Sequence, residues 1–213
     1  DRFNNGALVS NTLTMVVNNP PEIKITSDVP TTICSGSSVT LTALGGGNCL
    51  RFNGSNKITF ASTPTIPLAQ SSYTIEAWVK PNTLSGAHGI VGWGNWGGAN
   101  QVNALRFNGP TQLINYWWGN DLVVNIPNNA LDGNWHHVAA TFDGVTRSIY
   151  WDGALMGYNH PGVHFVTISN NMNIAATNNV EYFDGEIDEV RIWSIARDEA
   201  EIQNNMNSPI PEN

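Results

Sequence analysis

The residues that could do acid–base chemistry are few. The tightest carboxylate string is Glu186-Ile187-Asp188-Glu189. In an extended chain Glu186 and Asp188 share one face and Glu189 takes the other. Glycoside hydrolysis needs two carboxyl groups flanking one bond, one as acid and one as nucleophile or base. This string lies in the last strand-like segment rather than a central one, so a structural role is expected of it. Glu181 and Asp184 form a second pair, on a turn. His136 and His137 are neighbours in a strand and point to opposite faces, so they cannot hold one ion together. Packing is expected of them. His88, His160 and His164 have no partner at ligand spacing, and neither a Gly-x-Ser-x-Gly nor a Walker pattern occurs. No catalytic residue is assigned and no enzyme is expected.

Cys34 and Cys49 are the only cysteines. A bridge between them would close a loop of about 15 residues, worth about 3 kcal/mol. Two unpaired thiols are the alternative. No Cys-x-x-Cys or Cys/His spacing suggests thiolate binding of a metal.

The aromatic residues offer a different chemistry. The chain has 8 Trp, 7 Phe and 5 Tyr. Trp78, Trp135 and Trp193 fall inside strand-like segments, where core packing is expected. Trp93 and Trp96 lie in a glycine-rich run, Gly92 to Gly98. Trp117 and Trp118 are adjacent, so one must face away from whatever the other packs on. Tyr116 takes the face opposite Trp117. Exposed rings flanked by Asn amides suit sugars, whose C–H faces stack on the ring while amides take the hydroxyls. They suit a protein interface equally well. Filling the mouth of the fold is the competing role. Segments 92–98 and 116–121 are the expected contact surface for a glycan or an extracellular protein.

These side chains must be positioned by strands. From Leu50 onward short alternating runs are separated by turn dipeptides such as Asp143-Gly144 and Asp152-Gly153. Runs are expected at Leu50–Asn53, Lys57–Phe60, Tyr73–Lys80, Gly89–Trp93, Ala104–Asn108, Leu113–Trp118, Leu122–Ile126, Trp135–Asp143, Thr146–Trp151, Ala154–Tyr158, Asn173–Ala176 and Gly185–Ser194. The spacing predicts an all-β, antiparallel two-sheet sandwich. One short helix is expected at Asp198–Met206. Before Leu50, strands are read at residues 7–17, 22–26 and 38–43, and Gly45-Gly46-Gly47 reads as a hinge. The expected division is an N-terminal strand-rich extension at 1–47, one domain at 48–207 and a stub at 208–213.

Composition narrows the setting. The chain has 213 residues with 17 acidic and 9 basic side chains, a formal charge of −8. A compact nucleic-acid binder needs a basic stripe, so that class is set aside. No apolar run approaches the ~20 residues of a membrane span, so no membrane insertion is expected. Charged residues make up 12%, about half the usual share. The surface polarity is carried by Asn, Thr, Ser and Gly, which points to a secreted or cell-surface protein.

Five segments in order carry a resemblance. They are Leu50-Arg51-Phe52-Asn53-Gly54, residues 72–81 with Glu76-Ala77-Trp78, residues 132–144 with Trp135-His136-His137, Ile149-Tyr150-Trp151-Asp152-Gly153, and residues 183–193 ending in Arg191-Ile192-Trp193. Together the region from about 49 to 206 resembles the laminin-G-like, concanavalin-A-like jelly-roll domains. The resemblance implies a curved two-sheet jelly roll that binds glycans or proteins and often holds a structural calcium. The same fold also houses hydrolases and lyases. By this resemblance Asp188 stands where the family's last-strand Asp supplies a calcium oxygen, and Asn53 stands in its early turn. Calcium bound by Asp188 and Asn53 is therefore expected. Residues 30–44 look like the opening of an immunoglobulin-like repeat of bacterial surface adhesins, too short for a whole domain. The 1–47 extension must pack on the jelly roll, belong to a neighbouring domain, or complete a sheet in another copy. The expected function is non-enzymatic binding or adhesion. A filament subunit, self-assembling through residues 1–20, is the alternative, and a polysaccharide-active enzyme is a third reading.

Overall fold

The computed structural model describes residues 49–60 and 65–208, together with the backbone of four short strands nearer the start. Those four are β1 (Arg2–Phe3), β2 (Leu13–Val16), β3 (Lys24–Ser27) and β4 (Leu41–Leu44). The rest are β5 (Leu50–Asn53), β6 (Lys57–Phe60), β7 (Tyr73–Thr83), β8 (Ala87–Gly94), β9 (Val102–Asn108), β10 (Gln112–Tyr116), β11 (Leu122–Asn125), β12 (His136–Phe142), β13 (Arg147–Trp151) and β14 (Ala154–Asn159). Three two-residue strands follow, β15 (Asn173–Ile174), β16 (Ala176–Thr177) and β17 (Glu181–Tyr182). The last elements are β18 (Asp184–Trp193) and the helix α1 (Glu199–Asn205).

The strands form two seven-stranded sheets. The first runs β1-β18-β7-β12-β13-β14, with β5 also paired to β18; the second runs β11-β10-β9-β8-β15-β6-β2. Apart from β1, which lies parallel to β18, the pairings within them are antiparallel. This is the expected jelly-roll sandwich. β1 and β2 pair with the chain's own sheets through β18 and β6. β3 and β4 make a separate ribbon. Residues 30–40 lie outside the described residues, so the immunoglobulin-like reading gains no support from the fold.

Alternation explains the core. On β7, Tyr73, Ile75, Ala77 and Val79 point inward and are essentially inaccessible. Leu105 and Phe107 of β9, Leu113 of β10, and Ile149 and Trp151 of β13 meet them between the sheets. Turn chemistry fixes the register. Asp152 and Gly153, both with positive φ (50° and 80°), make the two-residue hairpin between β13 and β14. Asp152 also accepts from the His137 amide and from His136 Nδ1, each at 2.9 Å.

The outer face of the first sheet is sealed. Trp78 and Trp193 are not in the inter-sheet core, as was expected; strand parity places them outward. There Trp78 Nε1 donates to the Met206 carbonyl at 2.8 Å, and Arg191 donates to the Asn205 and Ser208 carbonyls. These bonds hold the end of α1 against the sheet, with Ile202 packed on Ala139 and Tyr150. The start of α1 carries a capping box, in which Asp198 accepts from Glu201 N and Glu201 accepts from Asp198 N. Asp198→Ala is expected to lower stability by about 1 kcal/mol in urea denaturation.

Beneath α1 lies a buried ionic cluster. Glu76 is fully inaccessible. Its carboxylate meets Arg197 at 2.9 Å, Arg191 at 3.7 Å and His137 at 3.6 Å. Trp193 Nε1 donates to it at 2.8 Å.

Candidate ligand-binding face

The second sheet keeps part of its outer face open. Parity of β9 and β10 turns Arg106, Ile114 and Tyr116 away from the core, and the register pairs Ile114 with Arg106 and Tyr116 with Ala104. The Arg106 guanidinium lies 3.7 Å above the Tyr116 ring centroid. Its Nη1 donates to Glu181 Oε1 at 2.5 Å. Glu181 sits on the small β16–β17 ribbon, which folds over β8, and its other oxygen takes the Thr177 hydroxyl. Asn178 and Asn179, both left-handed, let that ribbon reverse.

Aromatic rings border the charged pair. Trp118 is partly exposed and lies 5.7 Å from Tyr116, with the planes tilted by 58°. Its φ is +65°, an uncommon conformation for a bulky residue and a form of strain that gathers at functional sites. Trp96 approaches from the other side. A Cβ built on Gly92 would lie 3.1 Å from Cη2 of Trp96 and 3.1 Å from Cγ2 of Thr177. Asn100 joins the loops, donating from its amide to the Trp118 carbonyl and accepting from the Phe165 amide. Phe165 itself is 53% exposed. Trp96 Nε1, Arg106 Nε and Asn100 Oδ1 have no hydrogen-bond partner among the described residues. All three atoms are buried, so they lie beneath the border of this face rather than on it.

Two expected contact residues belong elsewhere. Trp93 and Trp117 are fully buried in the core. Trp117 is stacked on His164 at 3.7 Å, with the Arg147 guanidinium 4.1 Å over its ring. Its Nε1 donates to Tyr73 at 3.1 Å. Glycine richness around Trp93 misled the sequence reading: it marks close approach, not exposure. A Cβ on Gly89 would fall 2.2 Å from Thr177 N, and one on Gly94 would fall 2.3 Å from the Gln101 carbonyl. Arg106 and Phe165 were missed, and Glu181 was read as half of a pair with Asp184 rather than as the partner of Arg106. A charged residue at an outward position one strand from Tyr116 was a usable signal for Arg106.

The expected calcium pair is not brought together. Asn53 faces Asp184, whereas Asp188 faces Trp78 four residues further along β18. Asn53 Oδ1 accepts from Ser55, and Asp188 Oδ1 accepts from Glu189 N at a bulge. Burial raises the Asp188 pKa, against the bond from Glu189 N, which lowers it. Among the described residues no group of three or more His, Cys, Asp or Glu gathers for a metal. Asn53 and Asp188 do not meet opposite one another on the sheet. Glu186 forms long ion pairs with Arg51 (3.9 Å) and Lys80 (3.8 Å), in keeping with a structural role. Among the described residues Cys49 is a partly buried thiol without a disulfide partner, and its expected partner, Cys34, lies outside them.

The fold has solved counterparts. A candidate carbohydrate-binding protein from Bacteroides ovatus aligns with TM-score 0.60 at 22% identity, over 79% of this chain and 54% of that one. The chain thus spans about half the length of that protein. The Ruminococcus gnavus IT-sialidase CBM40, bound to α2,3-sialyllactose, aligns with TM-score 0.61 at 13% identity over 73% and 95%. Domain 4 of an extracellular GH43 arabinanase from Geobacillus stearothermophilus, in complex with arabinotriose, aligns with TM-score 0.53 at 19% identity over 91% and 86%. At such identities these likenesses show the fold alone. No curated protein matches the sequence. Residues 52–203 match the family model of the concanavalin A-like lectin/glucanases, a span that starts after the immunoglobulin-like stretch and covers well over half the chain. The chain belongs to the concanavalin A-like lectin/glucanases superfamily.

Proposed function

We propose that this chain is a non-catalytic glycan-binding domain of an extracellular protein, and that the outer face of the second sheet is its binding surface. One observation carries the reading. Tyr116 lies under the Arg106 of the Arg106–Glu181 pair, with Trp118 beside Tyr116 and Trp96 near Gly92, on a face left open by the core. Rings offer stacking area, and the charged pair offers both a donor and an acceptor to sugar hydroxyls. The solved counterparts with bound sialyllactose and arabinotriose support a glycan as ligand. The arrangement favours recognition over hydrolysis. Both Glu181 oxygens are engaged, by Arg106 and Thr177, and Asp121 accepts from the Trp117 amide. A hydrolase would need one of two facing carboxyl groups free to give a proton.

Trp118→Ala is expected to weaken oligosaccharide binding about tenfold while leaving the melting temperature within a few degrees. Trp117→Ala should do the reverse, failing chiefly in stability. Titration of both variants against the best ligand from a glycan array checks this. Equal affinity of Trp118→Ala and the parent protein would move the site off this face.

A further inference from the structure

We infer that this face selects uncharged sugars, and that Glu181 sets the selection. The inference rests on the glycan-binding reading above and adds the chemical class of the ligand. Three charged groups act at the Tyr116 hydroxyl: Arg106, Asp121 and Glu181. Their sum is 1 − 2 = −1. Arg106, the cation among them, is already paired through one nitrogen. Its guanidinium lies on the Tyr116 ring and its Nη1 is bonded to Glu181 Oε1 at 2.5 Å.

Accessibility tips the balance further. The Glu181 side chain is 21% exposed and that of Arg106 is 12%. More of the Glu181 side chain than of the Arg106 side chain is therefore open to a ligand settling between the rings. A sialic or uronic carboxylate would have to displace Glu181 from Arg106 or sit beside it as a like charge. Displacement would also cost the Thr177–Glu181 bond that ties the β16–β17 ribbon together. A neutral sugar faces neither obstacle. Its hydroxyls can donate to the remaining lone pairs of Glu181 without breaking the pair. The formal charge of −8 works in the same direction by opposing the approach of anionic glycans.

The test compares neutral oligosaccharides, arabinotriose among them, with α2,3-sialyllactose and a galacturonate trimer. The proteins are the parent chain and Glu181→Gln. The parent should bind a neutral sugar at least tenfold more tightly than either acidic one. Glu181→Gln, which keeps the shape and frees the guanidinium, should narrow that ratio at least tenfold. Equal or tighter binding of the acidic sugars by the parent chain overturns the inference and leaves the glycan-binding reading standing. So does a ratio unchanged in a Glu181→Gln protein that melts normally. Binding of no sugar by either protein overturns the glycan-binding reading itself. Should Glu181→Gln not fold, the parent decides alone: its neutral-sugar affinity should be flat between 50 mM and 500 mM salt by order of magnitude. A steep salt-dependent loss would contradict the proposal.

Discussion

Replacing Glu76 by alanine should cost about 3–5 kcal/mol of folding free energy. The reason is what the substitution leaves behind. Arg191 and Arg197 are 2% and 6% exposed, and Glu76 is the carboxylate that both of them meet. Without it two guanidinium groups stay buried under α1 with less than full compensation, and Trp193 Nε1 loses its acceptor. Arg191 keeps Glu189, at 2.9 Å, so the deficit is sharpest at Arg197. The strand face, the helix end and the Arg197 turn all hang on one side chain, so the loss should appear as a single cooperative shift. Equilibrium urea denaturation checks it, with a fall in melting temperature of about 10 °C as the companion reading. Glu76→Gln should fall between the two, since it keeps an acceptor for the indole. A loss below about 1 kcal/mol for Glu76→Ala would mean that the cluster is compensated from elsewhere.

Acidification should unfold the domain well before its carboxylates titrate. His137 and His164 are both buried in the neutral form. Burial, helped by the Arg191 and Arg197 charges, lowers the His137 pKa from 6.5 to about 3, and burial lowers that of His164 to about 4. Glu76 stands 3.6 Å from His137, but two guanidinium groups already neutralise it, so it does not hold the imidazolium. The sign follows from proton uptake. Below pH 6.5 the unfolded chain binds protons that the folded chain refuses, so stability is full above about 6.5 and falls as the pH drops toward 4. Each histidine contributes about 1.4 kcal/mol per pH unit across that window, and the two together about 2.7. Asp132 is held at about 2 by its bonds from Asn134 and His136 and adds to the fall only at lower pH. Urea midpoints from pH 7 to pH 4 measure the slope. His164→Phe keeps a ring against Trp117 and removes the titrating group. It should halve the slope even though the lost bond to the Val102 carbonyl lowers the absolute stability. A flat profile between pH 7 and 5 would show that the histidines protonate in place.

Much of the fold was legible because its signals are local. Strand alternation placed Lys57–Phe60 and Leu50–Asn53 at their observed limits, and Asp152-Gly153 marked its hairpin. The helix expected at Asp198–Met206 runs over Glu199–Asn205, with Asp198 and Met206 as its caps. Asn173–Ala176 read as one strand because a left-handed alanine cannot be seen in a sequence; Ala175, at φ +66°, turns the chain out of the second sheet and into the β16–β17 ribbon. The candidate site was legible only in part. Parity correctly set Tyr116 against Trp117, and by the same rule Tyr116 with Trp118. It could not say which side was the interior, because both adjacent indoles are equally apolar. That choice was made by Arg147 and His164, which sandwich Trp117 from segments distant in sequence. The same distance hid Glu181 from Arg106, since 75 residues separate them.

The seal that α1 makes over the first sheet has a consequence for how this domain can change. Its ionic anchor and its open aromatic face lie on opposite outer surfaces, with the whole apolar core between them. Positions 96, 116 and 118 are therefore the ones that can drift, or be randomised in a library, at least cost to the ionic anchor, whereas Arg106 and Glu181 also hold the β16–β17 ribbon. Ligand preference can be rewritten on one side while Glu76 and its arginines keep the scaffold intact on the other.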